Sequence, residues 1–159
     1  MRCGPRCGAE PVRQGVRLAL DWGKARIGVA ACDPGGVLAY PVETVPAGPA
    51  ALGRLRALVD EYEPVELVLG LPRTLAGTES FAAESIRTVA AELTEALPGL
   101  PIRLVDERLS TRTAAGRLAS TGRNTRRQRS VIDQAAAVAI LEAALDHERA
   151  TGKPPGELL

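Results

Sequence analysis

The apolar pattern of this chain changes period after its first three strands, and that change constrains its fold more than any other feature. Val16-Arg17-Leu18-Ala19-Leu20-Asp21 alternates, placing Val16, Leu18 and Leu20 on one face and Arg17, Ala19 and Asp21 on the other. A second strand, Ile27 to Cys32, follows a short turn containing Gly23. Asp33-Pro34-Gly35-Gly36 is a turn signal, because Pro pre-sets φ and Gly accepts positive φ. A third strand, roughly Val37 to Val45, completes an antiparallel meander, with Pro41 marking a sheet edge.

Beyond residue 50 the spacing becomes helical. Leu52, Leu55, Leu58, Val59 and Tyr62 form one stripe, ended by Pro64, and Val65 to Leu69 is a nearly continuous apolar strand. Ala82, Ile86, Val89, Leu93 and Leu97 predict a long helix from near Thr78 to Pro98-Gly99. Ile102 to Val105 reads as another buried strand, followed by a short helix near Thr111 to Ala119 and a basic loop from Thr121 to Arg129. Ser130 is expected to cap a last helix running to about His147. Three antiparallel strands, then two strands reached through crossover helices, imply an α/β fold. The sheet is expected to be mixed and five-stranded, with helices on both faces.

At 159 residues the chain fits one domain with a real core. A net charge of +1 by itself points to no nucleic-acid partner, but eight arginines against two acids between Arg103 and Arg129 make a local basic block. That block is either a phosphate-contacting surface or a solvated face. Aromatics at 3% do not favour base stacking on several rings. There is no run of about 18 apolar residues to span a membrane, and the first fifteen residues lack the apolar stretch of a signal peptide. Cys3, Cys7 and Cys32 form no zinc pattern and His147 stands alone, so a reduced, cytoplasmic setting is expected.

Carboxylates are the remaining chemistry. Asp21 ends the first strand, Asp106 and Glu107 end the last, and Asp133 sits at the leading edge of a face shared with Ala136, Ala137, Ile140 and Ala144. Buried carboxylates cost several kcal/mol each unless hydrogen bonds or a cation offset them, so their convergence would call for a metal. Hard ions such as Mg²⁺ and Mn²⁺ suit these oxygen ligands. Each acid also has a plainer reading. Asp21 could start a hairpin as an Asx-turn, Arg108 could neutralise Asp106 and Glu107, and Asp133 could complete a capping box with Ser130.

Four ordered motifs between residues 16 and 146 resemble the YqgF family, also called RuvX. They are Leu20-Asp21-Trp22-Gly23 with Arg26-Ile27-Gly28-Val29-Ala30, and Leu69-Gly70-Leu71-Pro72 with Gly77-Thr78-Glu79. The third is Asp106-Glu107-Arg108-Leu109-Ser110-Thr111, and the fourth Val131-Ile132-Asp133 with Ala135-Ala136. Members are RNase H-like proteins described as Holliday-junction resolvases or pre-16S rRNA nucleases. This chain departs from the family at Thr74 and Ala76, where an Asn and an Asp are common. It departs again at Lys24-Ala25, where Thr-Lys is common.

The resemblance implies an RNase H-like nuclease domain over residues 16–148, between a disordered extension (1–15) and a flexible tail (149–159). It implies Asp21, Glu107 and Asp133 as catalytic, metal-binding acids with Asp106 beside them, and two Mg²⁺ or Mn²⁺ ions about 4 Å apart. Lys24, Arg26, Arg108, Arg123, Arg126, Arg127 and Arg129 would hold backbone phosphates of branched DNA or precursor rRNA. A homodimer is left open. A non-catalytic RNA- or ribosome-binding factor keeping the same fold is the competing reading; an actin-like ATPase would need a second domain.

Overall fold

The structure is a computed structural model that describes residues 12–72, 80–107 and 126–159. Strands β1 (Arg17–Trp22), β2 (Arg26–Cys32) and β3 (Ala39–Pro46) form the expected antiparallel meander. Helix α1 (Ala51–Tyr62) leads to β4 (Glu66–Leu71), and α2 (Phe81–Ala96) leads to β5 (Ile102–Asp106). Helix α3 (Arg126–Thr151) then precedes β6 (Glu157–Leu158). The strand order is β3-β2-β1-β4-β5-β6, with β4 parallel to both β1 and β5. β3 lies at the edge, as Pro41 indicated.

The sheet therefore has six strands rather than five. The additional strand is two residues long, too short to show any alternation. Leu158 pairs with Arg103, and the Leu159 N–H donates to the Ile102 carbonyl at 2.9 Å. Residues 149–159, read as tail, thus supply the end of α3 and this edge strand. Gly156, at φ +71°, passes so close to β5 that any side chain would overlap the Leu104 carbonyl oxygen.

Alternation divides the sheet into two unlike faces. On one, Leu18, Leu20, Ile27, Leu67, Leu69 and Ile102 pack with Leu55 and Leu58 of α1 and with Ile86 and Leu93 of α2. On the other, Ala19, Ala30, Cys32, Val68 and Val105 pack against Ala137, Ile140, Leu141, Ala144 and Leu145 of α3. Small strand residues on this second face let α3 lie close to the sheet. Cys32 is buried there, its Sγ accepting the Arg17 backbone N–H at 3.3 Å.

Three readings of the helices are corrected. The buried stripe of α2 is Ala83, Ile86, Ala90, Leu93 and Leu97, and Ala82 is exposed. Alanine tolerates either side of a helix, so its periodicity carries little signal. Residues 126–129 are helical instead of loop, which places Ser130 inside α3 and removes its capping role. The last helix also ends later, at Thr151. Arg108, Arg123, the short helix expected near Thr111 to Ala119 and the loop up to residue 125 lie outside the described residues, as do Cys3, Cys7 and Thr78.

Candidate active site

Asp21 is next to last in the central strand, on the face that carries Arg17 and Ala19 and meets α3. Both of its strand neighbours are glycines. Gly28 pairs with it across β2, and Gly70 of β4 follows the Leu20–Leu69 pair on the other side. A Cβ on Gly28 would overlap the Asp133 carbonyl oxygen of α3. On Gly70 it would lie 2.7 Å from Ile140 Cδ1 and 2.8 Å from Glu107 Oε1. The two bare positions clear the floor on either side of Asp21. One admits the α3 backbone at Asp133; the other admits the Glu107 side chain leaning over β4.

The parity of β5 explains why Glu107, and not Asp106, reaches this floor. Arg103 and Val105 belong to the α3 face, and Glu107 continues that register just past the strand. Asp106 falls on the alternate position. Glu107 is therefore the acid of this pair that shares a face with Asp21.

Electrostatics binds the three acids into one group. Burial pushes the Asp21 carboxyl up to about 6, helped by the negative charge of Asp133. Burial likewise pushes Glu107 up to about 7, with the charges of Asp21 and then Asp106 adding to it. Asp21 is common to both couplings. These are shifts that a cation would reverse.

Asp133 already has a cation beside it. Arg26 Nε donates to its Oδ2 at 2.6 Å, with the two side chains about one third and one fifth exposed. Arg26 therefore sits in the acidic site, where a free phosphate ligand was expected. Among the described residues, no three His, Cys, Asp or Glu side chains converge closely enough to hold a metal ion as they stand. The donor set nonetheless fits a hard divalent ion in its chemistry, being entirely carboxylate and crowded with like charge.

The clasp that seats α3 beside the site joins residues with no local sequence signal. Ser130 Oγ donates to Thr44 Oγ1 at 2.8 Å, and Thr44 Oγ1 donates to the Ser130 carbonyl at 3.0 Å. Gln134 Nε2 donates to Thr44 Oγ1 at 3.1 Å. Thr44 pairs with Gly28 in the β2–β3 register, so this clasp lies two strands from Asp21. Its partners are 86 and 90 residues apart in the chain, beyond any local pattern. Gly23 has a structural duty in the turn that the sequence placed there. It closes the β1–β2 turn by donating to the Arg26 carbonyl at 2.9 Å, and a side chain there would strike that oxygen.

Of the basic residues, Lys24, Arg127 and Arg129 are exposed. No helix among the described residues is long and apolar enough to cross a membrane.

One substitution tests the seating of α3. Gly28→Ala should cost at least the 1–3 kcal/mol typical of overpacking, because the obstacle is backbone and cannot rotate away. Urea unfolding checks this, and an alanine variant as stable as the parent would contradict the close approach.

Comparison with known proteins agrees with this architecture. The RuvX family profile, described as Holliday junction resolvase, matches residues 15–147. A Streptomyces coelicolor protein named "Putative pre-16S rRNA nuclease" is 56% identical over 156 residues, covering 97% of this chain and 90% of its own length. A protein of the same name from Streptomyces avermitilis is 57% identical over 148 residues, covering 92% and 95%. Among solved structures, T. thermophilus RuvC in complex with a Holliday junction substrate superposes with a TM-score of 0.50 at 17% identity. That match covers 90% of this chain and 99% of the other. It supports the RNase H-like fold alone. The matched span and the identities show that the chain belongs to the RuvX family of nucleases.

Proposed function

We propose that the chain is a metal-dependent endonuclease that hydrolyses phosphodiester bonds in structured nucleic acid, with precursor 16S rRNA as its substrate. The observation that carries this reading is the position of Asp21, coupled to Glu107 on one side and Asp133 on the other. Relatives above 55% identity over more than nine-tenths of the chain are named for precursor 16S rRNA, which favours RNA over the junction DNA of the family description.

Asp21, Glu107 and Asp133 would hold Mg²⁺ or Mn²⁺, with Asp106 adding negative charge behind Glu107. Such ions, when bound, acidify water and stabilise the leaving oxygen. The protein's own contribution is positional. Gly28 and Gly70 leave room beside Asp21 for the α3 backbone at Asp133 and for the Glu107 side chain, and α3 shields one side from solvent. Lys24 in the β1–β2 turn and Arg127 and Arg129 at the start of α3 are exposed cations that suit backbone phosphates, read without regard to sequence.

Cleavage of precursor 16S rRNA and of four-way junction DNA, each with Mg²⁺, Mn²⁺ or EDTA, tests the proposal. The expected result is cutting of the rRNA precursor with either ion and none in EDTA. Activity that survives EDTA would sink the metal mechanism. Tight RNA binding without cleavage under any ion would instead favour a binding factor that keeps the nuclease fold.

A further inference from the structure

We propose that Arg26 is a tethered counter-cation: it occupies Asp133 in the metal-free protein and must leave before Asp133 can join Asp21 and Glu107 around a divalent ion. This rests on the metal-dependent reading above and adds a step to it.

The backbones on both sides of the pair are fixed. Arg26 begins β2, and its carbonyl receives the Gly23 N–H at 2.9 Å, so its Cα cannot drift from the sheet. Asp133 is held from beneath by the contact of its own backbone with Gly28, and from the side by the Thr44–Ser130 clasp. Between these fixed points the Nε–H of Arg26 donates to Asp133 Oδ2 at 2.6 Å. The guanidinium therefore meets this carboxylate by construction, not as a wandering surface group.

Occupation by Arg26 also accounts for a contradiction. The acids share a face and influence one another electrostatically, yet no three of the described acids converge to hold an ion. Asp133 is engaged by Arg26. A divalent ion on Asp133 would lie within a few Å of the guanidinium, and positive charges that close repel strongly in a half-buried site, so the ion and Arg26 compete for this carboxylate.

The pair is also built to exchange. Its side chains are 34% and 20% exposed, and a single partly exposed ion pair contributes little and is open to competition. The ion pairs at the other end of the same face differ: Arg17 with Glu66 and Glu148 leaves side chains only 1–4% exposed, where no ion from solvent could intrude. Arginine is the suitable residue for the exchangeable position because it stays charged at every working pH.

The test uses the full-length protein stripped of metal. Calorimetric titration with Mn²⁺ should show Arg26→Gln binding at least about tenfold more tightly than the parent, since a competitor and a repelling charge are both removed. A second readout needs no variant. In ¹H–¹⁵N spectra the Arg26 Nε–H should be exchange-protected in EDTA and should shift and lose protection at saturating Mg²⁺. Equal or weaker Mn²⁺ binding by Arg26→Gln, or an Arg26 Nε–H that saturating Mg²⁺ leaves unchanged, would overturn the proposal and make Arg26 a permanent structural tie. Failure of the underlying reading looks different. Mn²⁺ binding that Asp21→Asn leaves intact, or that is absent from parent and Arg26→Gln alike, would remove the metal site itself.

Discussion

Asp21→Asn is expected to reduce cleavage at least a hundredfold while making the metal-free protein more stable above neutral pH. Loss of a group merely supporting a metal ligand typically costs 10–100-fold, so a direct ligand should lose at least that much. The gain in stability follows from the raised proton affinities. Asp21 titrates at about 6 and Glu107 at about 7 in the folded protein, both above their ordinary values. An acid with a raised folded-state pKa keeps its proton in the folded state while the unfolded chain has already lost it. Folding is then favoured at low pH, and stability falls as pH rises from about 4 to about 7. The penalty is complete above that window, roughly 3 kcal/mol for each acid before solvent screening reduces it. Asparagine keeps the shape of Asp21, has no charge to bury, and relieves Glu107 as well. Urea unfolding in EDTA between pH 5 and 8 should therefore show a slope for the parent that is flattened in Asp21→Asn. A variant less stable than the parent at pH 8 would show that the Asp21 charge is a structural necessity.

The readable parts of this molecule were those with a local period. Alternation in Val16 to Asp21 placed Asp21 on the face of Arg17 and Ala19, and that face does meet α3. Turn chemistry at Asp33 was equally local: its Oδ1 accepts the Val37 and Leu38 N–H groups at 2.8 and 2.6 Å. What escaped was decided between elements. Asp133 reads as half of a capping box because Ser130 precedes it by three residues, but the helix begins earlier and both side chains face the sheet partners Thr44 and Arg26. The pairing of Arg26 with an acid 107 positions away leaves no signal in the sequence around either residue. Gly28 and Gly70 were visible as motif residues, but their reason, clearance for Asp133 and Glu107, exists only once three strands and a helix are assembled. Glu66 escaped most completely, as a charge at the start of a strand that is otherwise apolar.

Glu66→Ala carries the largest expected loss of stability, about 3–5 kcal/mol, because it strips a buried acid from a cluster of arginines. Glu66 accepts Arg103 Nε at 2.9 Å and Arg13 Nη2 at 3.2 Å, and lies 3.8 Å from Arg17 Nε. Arg17 is 1% exposed, and its Nε and Nη1 are buried without a hydrogen-bond partner among the described residues, so it depends on the nearby negative charge of Glu66 and Glu148. With Glu66 gone, Arg13 and Arg17 would share Glu148, and Arg103 would keep only its bond to the Pro155 carbonyl among the contacts described. A domain of this size has only about 5–15 kcal/mol to lose, and denaturant unfolding at pH 7 should register the deficit directly. Arg13→Ala, at a side chain 44% exposed, should cost far less. The position of the cluster adds a functional corollary. Arg17 and Asp21 stand on one face of β1, about 13 Å apart at 3.3 Å per residue. Glu148 and Asp133 stand on α3, about 22 Å apart at 1.5 Å per residue. The helix is thus fastened to the sheet at two ends by different means, a buried ionic cluster at one and an exchangeable pair at the other. Molecules of Glu66→Ala that remain folded should bind Mn²⁺ as the parent does, because the fastening at Asp133 is untouched. A parallel fall in Mn²⁺ affinity would mean that the two ends of α3 act as one unit, and that the rigidity of the distant cluster sets the geometry of the acids.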